Sequence, residues 1–286
     1  MKLTRFDQSD IFNDLDKIDA WLDMRGFKQR NRLRIYRENL IAMRDTHDDM
    51  ATIHSQMQEA GRVTEMLTSY VEGFELSDAL KCLLDNHVDI PNELLKRSLD
   101  GHADAAKETA KNNQGRNAMF ELSIAAAIAR QGLKPIFNLD KPDLEFQFEG
   151  RRMLLECKRV LSENRVDEAM SAGIRQLRKK VNVLADEVGL VAVNVSRLFN
   201  SGDGWWTVRA DVHPVRALSK MIHRMIEGRE ADIRRRKEPS VRGMLFYAAS
   251  PFKVEGLGYM PVRTATLCRL DSGDELMRRL SEALML

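Results

Sequence analysis

Pro142-Asp143-Leu144-Glu145-Phe146-Gln147-Phe148-Glu149-Gly150-Arg151-Arg152-Met153-Leu154-Leu155-Glu156-Cys157-Lys158 is the stretch on which the reading of this chain turns. Residues 143–148 alternate strictly: Leu144, Phe146 and Phe148 fall on one face, Asp143, Glu145 and Gln147 on the other. Glu149-Gly150 is a hairpin turn signal, and residues 153–160 form the next strand. Side chains on a strand alternate, so Glu156 and Lys158 share a face while Leu155 and Cys157 point to the other. The turn folds the two strands together and lets Asp143 approach Glu156 near one end of the pair.

Working outward, residues 118–131 form an Ala-rich apolar helix that must be largely buried, closed by Gly132. Residues 135–139 are a short strand. After the quoted stretch come a long basic helix (165–187) and a continuous apolar strand (190–195). A second long helix (215–236), a buried strand (244–249), one or two strands over 258–270 and a closing helix (274–284) follow. The class is α/β: a mixed central sheet with flanking helices. The first 110 residues differ in texture. Apolar residues recur three and four apart over 11–24, 30–43 and 55–70, with shorter helices over 77–86 and 92–100 and Asn92 as an N-cap. We therefore expect an N-terminal all-helical domain over 1–110 and an α/β domain over 111–286, separated by the polar stretch 107–117.

Composition narrows the function. Of the 286 residues, 43% are hydrophobic and 31% charged, enough to build a core and too many apolar residues for a disordered chain. No apolar run reaches the ~18 residues of a membrane span. The opening residues 1–7 lack the apolar segment of a signal peptide, and Cys82, Cys157 and Cys268 form no disulfide or zinc pattern; both point to a cytoplasmic protein. The net charge of +2 hides an asymmetry. Residues 1–110 carry 15 Lys+Arg against 21 Asp+Glu, residues 111–286 carry 30 against 22. The basic part suits an anionic partner. No phosphate-binding G-x-x-x-x-G-K-[ST] loop and no G-x-S-x-G elbow occur.

The carboxylates carry the chemistry. Asp143 and Glu156 side by side repel unless a cation lies between them. Their hard oxygens suit Mg²⁺ or Mn²⁺, and the backbone carbonyl of Cys157 offers another oxygen. A metal held there lowers the pKa of a bound water and stabilises charge on a phosphate oxygen. Lys158 stands within reach of the attacking water or the phosphate.

Pro142-Asp143 followed by Glu156-Cys157-Lys158 resembles the motif of the PD-(D/E)xK nuclease superfamily, the restriction-endonuclease-like fold. The 13-residue spacing across a hairpin and the order of elements fit it, over residues 115–250. The resemblance implies a metal-dependent nuclease hydrolysing phosphodiester bonds, of DNA more often than RNA, in bacterial or phage DNA processing or defence. It implies metal ligation by Asp143 and Glu156, with Lys158 at the nucleophile. Glu121, on the helix that resembles the opening helix of that core, becomes an auxiliary metal or water contact. Gln176 resembles the glutamine found on the following helix in restriction and repair branches. The alternative is a non-catalytic member of the same fold that binds nucleic acid or protein.

Other residues are weighed beside these. Arg175, Arg178, Lys179 and Lys180 are candidate phosphate contacts; Arg151, Arg152 and Arg159 flank the central strand, and the run 234–237 reads as a solvated face. Glu145 shares a face with Asp143. Trp205-Trp206, after Gly202-Asp203-Gly204, either stacks bases or begins a buried strand. His47 and His54 share a helical face with Asp48 and Asp49 nearby, a pattern that seldom means a metal site. The acidic helical domain would mediate self-association, bind a regulatory partner, or restrain the nuclease.

Overall fold

A computed structural model describes residues 8–284, apart from 29, 46–49, 110, 139, 141, 201–203 and 237. His47, Asp48, Asp49, Gly202 and Asp203 therefore lie outside the described residues. Five helices come first: α1 (Gln8–Met24), α2 (Asn31–Asp45), α3 (Met50–Glu59), α4 (Val63–Asp85) and α5 (Asn92–Leu99). Then follow α6 (Gln114–Arg130), β1 (Ile136–Phe137), β2 (Leu144–Phe148), β3 (Arg151–Arg159), α7 (Val166–Arg178), β4 (Glu187–Asn194) and α8 (Ser196–Phe199). The chain ends with β5 (Trp206–Val208), α9 (Pro214–Glu227), α10 (Glu230–Arg235), β6 (Val241–Val254), β7 (Gly258–Arg269) and α11 (Glu275–Ala283).

The class is mixed α/β with an N-terminal helical region, as expected. The seven strands form one mixed sheet. β1, β2 and β3 are antiparallel neighbours; β3, β4 and β6 are parallel; β7 runs antiparallel along β6. β4 and β5 share the other edge of β6, against 241–247 and 252–254. Among the described residues no helix is long and apolar enough to cross a membrane.

Several expected boundaries move, each for a local reason. The helix expected over 55–70 is broken: Gly61, at φ +65°, closes the turn after α3, and α4 then runs through Asp85, absorbing the helix expected over 77–86. Pro91 rather than Asn92 occupies the N-cap position of α5, without a side-chain cap bond, and the Asn92 side chain accepts from Arg25 instead. The basic helix stops at Arg178, not residue 187. Val181 turns in against Gly189, and the chain reverses into β4 through Asp186 in the left-handed conformation. The helix expected over 215–236 divides at Gly228 into α9 and α10. The segment 258–270 is one strand.

Each face of the sheet is covered by a separate apolar cluster. Val166, Met170 and Leu177 of α7, Leu218 and Ile222 of α9 and Ile233 of α10 pack on Leu154, Val191, Val193 and Phe246. The opposite face carries Leu144, Phe146, Met153, Leu155, Leu190 and Tyr247, covered by α6 and α11. The same cluster continues through α6 into Leu15, Leu22, Leu40, Leu67, Tyr70 and Leu83 of the N-terminal helices. The change of texture near residue 110 therefore falls inside one shared core. Glu72 of α4 meets Arg116 of α6 at 2.6 Å, and Tyr70 donates to the Tyr259 carbonyl at 2.9 Å across it.

Candidate active site

The β2–β3 hairpin sets the geometry. Glu149 (φ 48°) and Gly150 (φ 76°) both adopt left-handed backbone, the two-residue turn whose twist suits paired strands. Phe148 then faces Arg151 and Leu144 faces Leu155. One further step of that register sets Asp143 opposite Glu156, on the face shared with Leu154. The Asp143 carboxylate accepts the Cys157 backbone N–H at 2.7 Å, and its carbonyl accepts from Asn138 at 3.0 Å. Backbone groups of one strand residue point to the same side, so the Cys157 carbonyl shares the edge that Asp143 occupies.

Asp143 and Glu121 are buried and Glu156 is fully so. Lys158 forms an ion pair with Glu156 and keeps 18% of its side chain exposed, so the buried carboxylate is linked through a cation to solvent. The Cys157 thiol reports the local field. Burial pushes its pKa up, and the charges of Asp143, Glu121 and Glu156 push it further. The charges of all three acidic groups act on this strand position, that of Glu121 from α6, which covers the face of the sheet opposite to Glu156. Among the described residues no group of three or more His, Cys, Asp or Glu side chains is gathered closely enough to hold a metal by itself. An ion between Asp143 and Glu156 would complete its shell with backbone oxygen, water or substrate, the habit of Mg²⁺.

The basic residues of α7 stand apart from this group. Gly173 packs on Val191, which is level with Glu156, and Leu177 packs on Gly189, level with Leu154. The helix therefore runs back toward the hairpin. Among the described residues Gln176 makes no hydrogen bond with the carboxylates, and its buried amide oxygen has no hydrogen-bond partner. Arg175, Arg178, Lys179 and Lys180 are all exposed; Arg178, Lys179 and Lys180 lie at a level about 13 Å or more along the sheet from Lys158, and Arg175 somewhat nearer. Glu145 is engaged by Arg152, which also holds Glu187 at 2.7 Å. Arg234 and Arg235 form exposed ion pairs within α10. Trp205 is packed between His54 and Tyr259, with ring centroids 4.6 and 4.4 Å away, whereas Trp206 is exposed and donates to the Phe199 carbonyl.

A second charged group lies behind the first. Arg159 follows Lys158 and, by strand alternation, points to the opposite face, where it pairs with the buried Glu108. Glu108 lies 3.9 Å from Arg116, which holds Glu72. Burial would raise the Glu72 pKa, but Arg116 and Arg32 outweigh it and hold the carboxyl below its usual value. One turn along α4, burial lifts Glu75 to about 7, its hydrogen bond from Tyr247 notwithstanding. Of these groups Arg159, Glu72 and Glu75 line a cavity of about 50 Å³, with Asn194, Ser196 and Arg197. The parity of Arg159 was legible in the sequence; its partner at Glu108 was not.

No family model matches this sequence, and none of the curated proteins matches it.

Proposed function

We propose that the chain is a metal-dependent nuclease hydrolysing phosphodiester bonds, of DNA in preference to RNA, with a core of the restriction-endonuclease-like type. The observation that carries this reading is the register of the β2–β3 hairpin: Asp143 opposite Glu156, with Lys158 paired to Glu156 on the same face. The order of elements from α6 through β4 supports it, being the helix, three strands, helix and strand that the resemblance implies.

Asp143 and Glu156, with the Cys157 carbonyl and Glu121, would hold Mg²⁺ or Mn²⁺; the donors are hard oxygens and fit such an ion. When bound, the ion supplies an acidified water and charge stabilisation at the phosphate. Asp143, fixed by the Cys157 N–H, keeps one carboxylate oxygen aimed and so limits reorganisation. Lys158 holds the attacking water and compensates the charge that grows on the phosphate oxygens. The exposed basic end of α7 would contact the backbone several phosphates away, an affinity term without sequence readout. The Lys158–Glu156 ion pair also favours a second reading, a nucleic-acid- or protein-binding member of the fold in which lysine neutralises the carboxylate permanently.

A cleavage assay separates the two. Plasmid, linear and single-stranded DNA and RNA are incubated with and without Mg²⁺ or Mn²⁺, with Lys158→Ala beside the wild type. Metal-dependent cutting lost in the variant supports the nuclease. Retained cutting in Lys158→Ala removes Lys158 from the mechanism, and no cutting on any substrate favours the binding protein.

A further inference from the structure

β7 forms one boundary of the sheet. β6 pairs along its whole length on one side, and among the described residues no strand pairs with the other. The backbone parity of this open edge is fixed by two contacts. Leu270 N–H donates to the Arg242 carbonyl at 3.1 Å, one step past the ladder and in its register, so even-numbered residues of β7 direct their backbone groups at β6. The carbonyl of Tyr259, an odd-numbered residue, instead accepts the hydroxyl of Tyr70 from α4, which closes that end of the edge. Pro261, with no N–H to give, also falls on an outward position, where a strand tolerates it.

Beyond Pro261 the outward N–H and C=O groups of Arg263, Ala265, Leu267 and Arg269 stand in a row. Both faces of the hairpin are already covered, by Leu218 and Ile222 on one side and by Leu276, Met277 and Leu280 on the other. The edge is thus the open aspect of an otherwise enclosed pair of strands. The usual protections are missing from its middle: residues 264–268 (Thr-Ala-Thr-Leu-Cys) hold no charge, proline or glycine. Arg263, at one end, shares Asp78 with Arg130, so this end of the edge keeps a net positive charge.

We propose that β7 pairs antiparallel with β7 of a second copy of this chain, about a two-fold axis at Ala265, joining two seven-stranded sheets into one. An antiparallel edge is its own complement: a two-fold rotation sets each outward donor against an outward acceptor of the same strand. Charge selects the axis. An axis at Thr266 would set Arg263 against Arg269 of the second copy, a repulsive pair. An axis at Ala265 sets Arg263 against Leu267, Arg269 against Pro261 and Thr264 against Thr266, with the smallest side chain at the centre. Two strands, β4 and β6, lie between this edge and β3, so the pairing does not depend on the chemistry of Glu156.

Sedimentation of the full chain at micromolar concentration tests it, on the wild type, Leu267→Pro and Ala265→Lys. Leu267→Pro removes an outward donor and leaves the ladder to β6 complete, but it also gives up the packing of the Leu267 side chain beside Gly243. Ala265→Lys sets a charge against its own copy without touching the backbone, which covers the case that the proline variant misfolds. The wild type is expected to sediment as a dimer and each folded variant at half that mass, with unchanged circular dichroism. Oxidised Ala265→Cys is expected to form a covalent dimer. A monomeric wild type overturns the proposal, as does a dimer that persists in the folded variants.

Discussion

Lys158 has two duties, and a substitution can separate them. It neutralises Glu156, which is fully buried, and in the proposed mechanism it holds the water. Lys158→Arg keeps the positive charge but replaces a compact ammonium by a planar fork. The expected result is a melting temperature within a few degrees of wild type and cleavage reduced about 100-fold or more. A variant that cuts normally would mean that only the charge matters. Glu75 gives a prediction independent of catalysis. Its carboxyl, lifted to about 7 by burial, holds its proton more tightly in the folded chain than in the unfolded one. The folded state then binds more protons between pH ~4.5 and ~7, so this group's contribution to stability falls as pH rises through that window, by about 3 kcal/mol in full. Glu75→Gln keeps the acceptor for Tyr247 and removes the titration. Denaturant midpoints should therefore show the variant gaining on the wild type from pH 5 to pH 8; a constant difference would show that Glu75 does not titrate there.

The hairpin at Glu149-Gly150 is the element on which the site depends, because its two-residue length sets Asp143 opposite Glu156. Gly150 has open space around it, so Gly150→Ala tests backbone conformation alone. At φ 76° an alanine should cost about 1 kcal/mol, read as a lower denaturant midpoint with unchanged slope. This part of the fold was legible because period-two alternation and turn chemistry agree; β2 and β3 fall within two residues of the reading. The extent of β6 was not. Residues 244–249 are its most apolar part, but pairing with β5 and β7 draws the strand out to 241–254. Nor was the end of α7, where Arg178, Lys179 and Lys180 are all good helix formers, yet the chain leaves the helix and packs Val181 on Gly189. That difference matters for the site, since the length and direction of α7 decide where Gln176 and the basic residues stand. Asp143, Glu156 and Lys158 follow from strand parity. Glu72 and Glu75 give no such signal, because a buried carboxylate is defined by its partners, and Tyr247 lies 172 residues from Glu75.

At the scale of the whole molecule, the helices before residue 110 are built into the α/β part through one apolar cluster and a buried chain of charges. Removing one partner from a buried ion pair leaves the other uncompensated, so Arg116→Ala should lower stability by about 3–5 kcal/mol. A chain lacking residues 1–105 should fail to fold, losing near-ultraviolet circular dichroism and binding a hydrophobic dye; a truncate with native spectra would show that the shared core is dispensable. With the core shared in this way, a regulatory role for the helices would have to work through this packing rather than through a tethered, separable unit. The same interlock has a consequence during synthesis. Tyr70 finds its partner 189 residues later, at Tyr259. A ribosome adding about 5–20 residues per second leaves roughly 10–40 s between the two. For that interval the part of α4 that meets β6 and β7, Tyr70 included, has no sheet to cover it. The nascent chain is therefore a natural client for holding chaperones, and the dangerous period for this protein is its own translation.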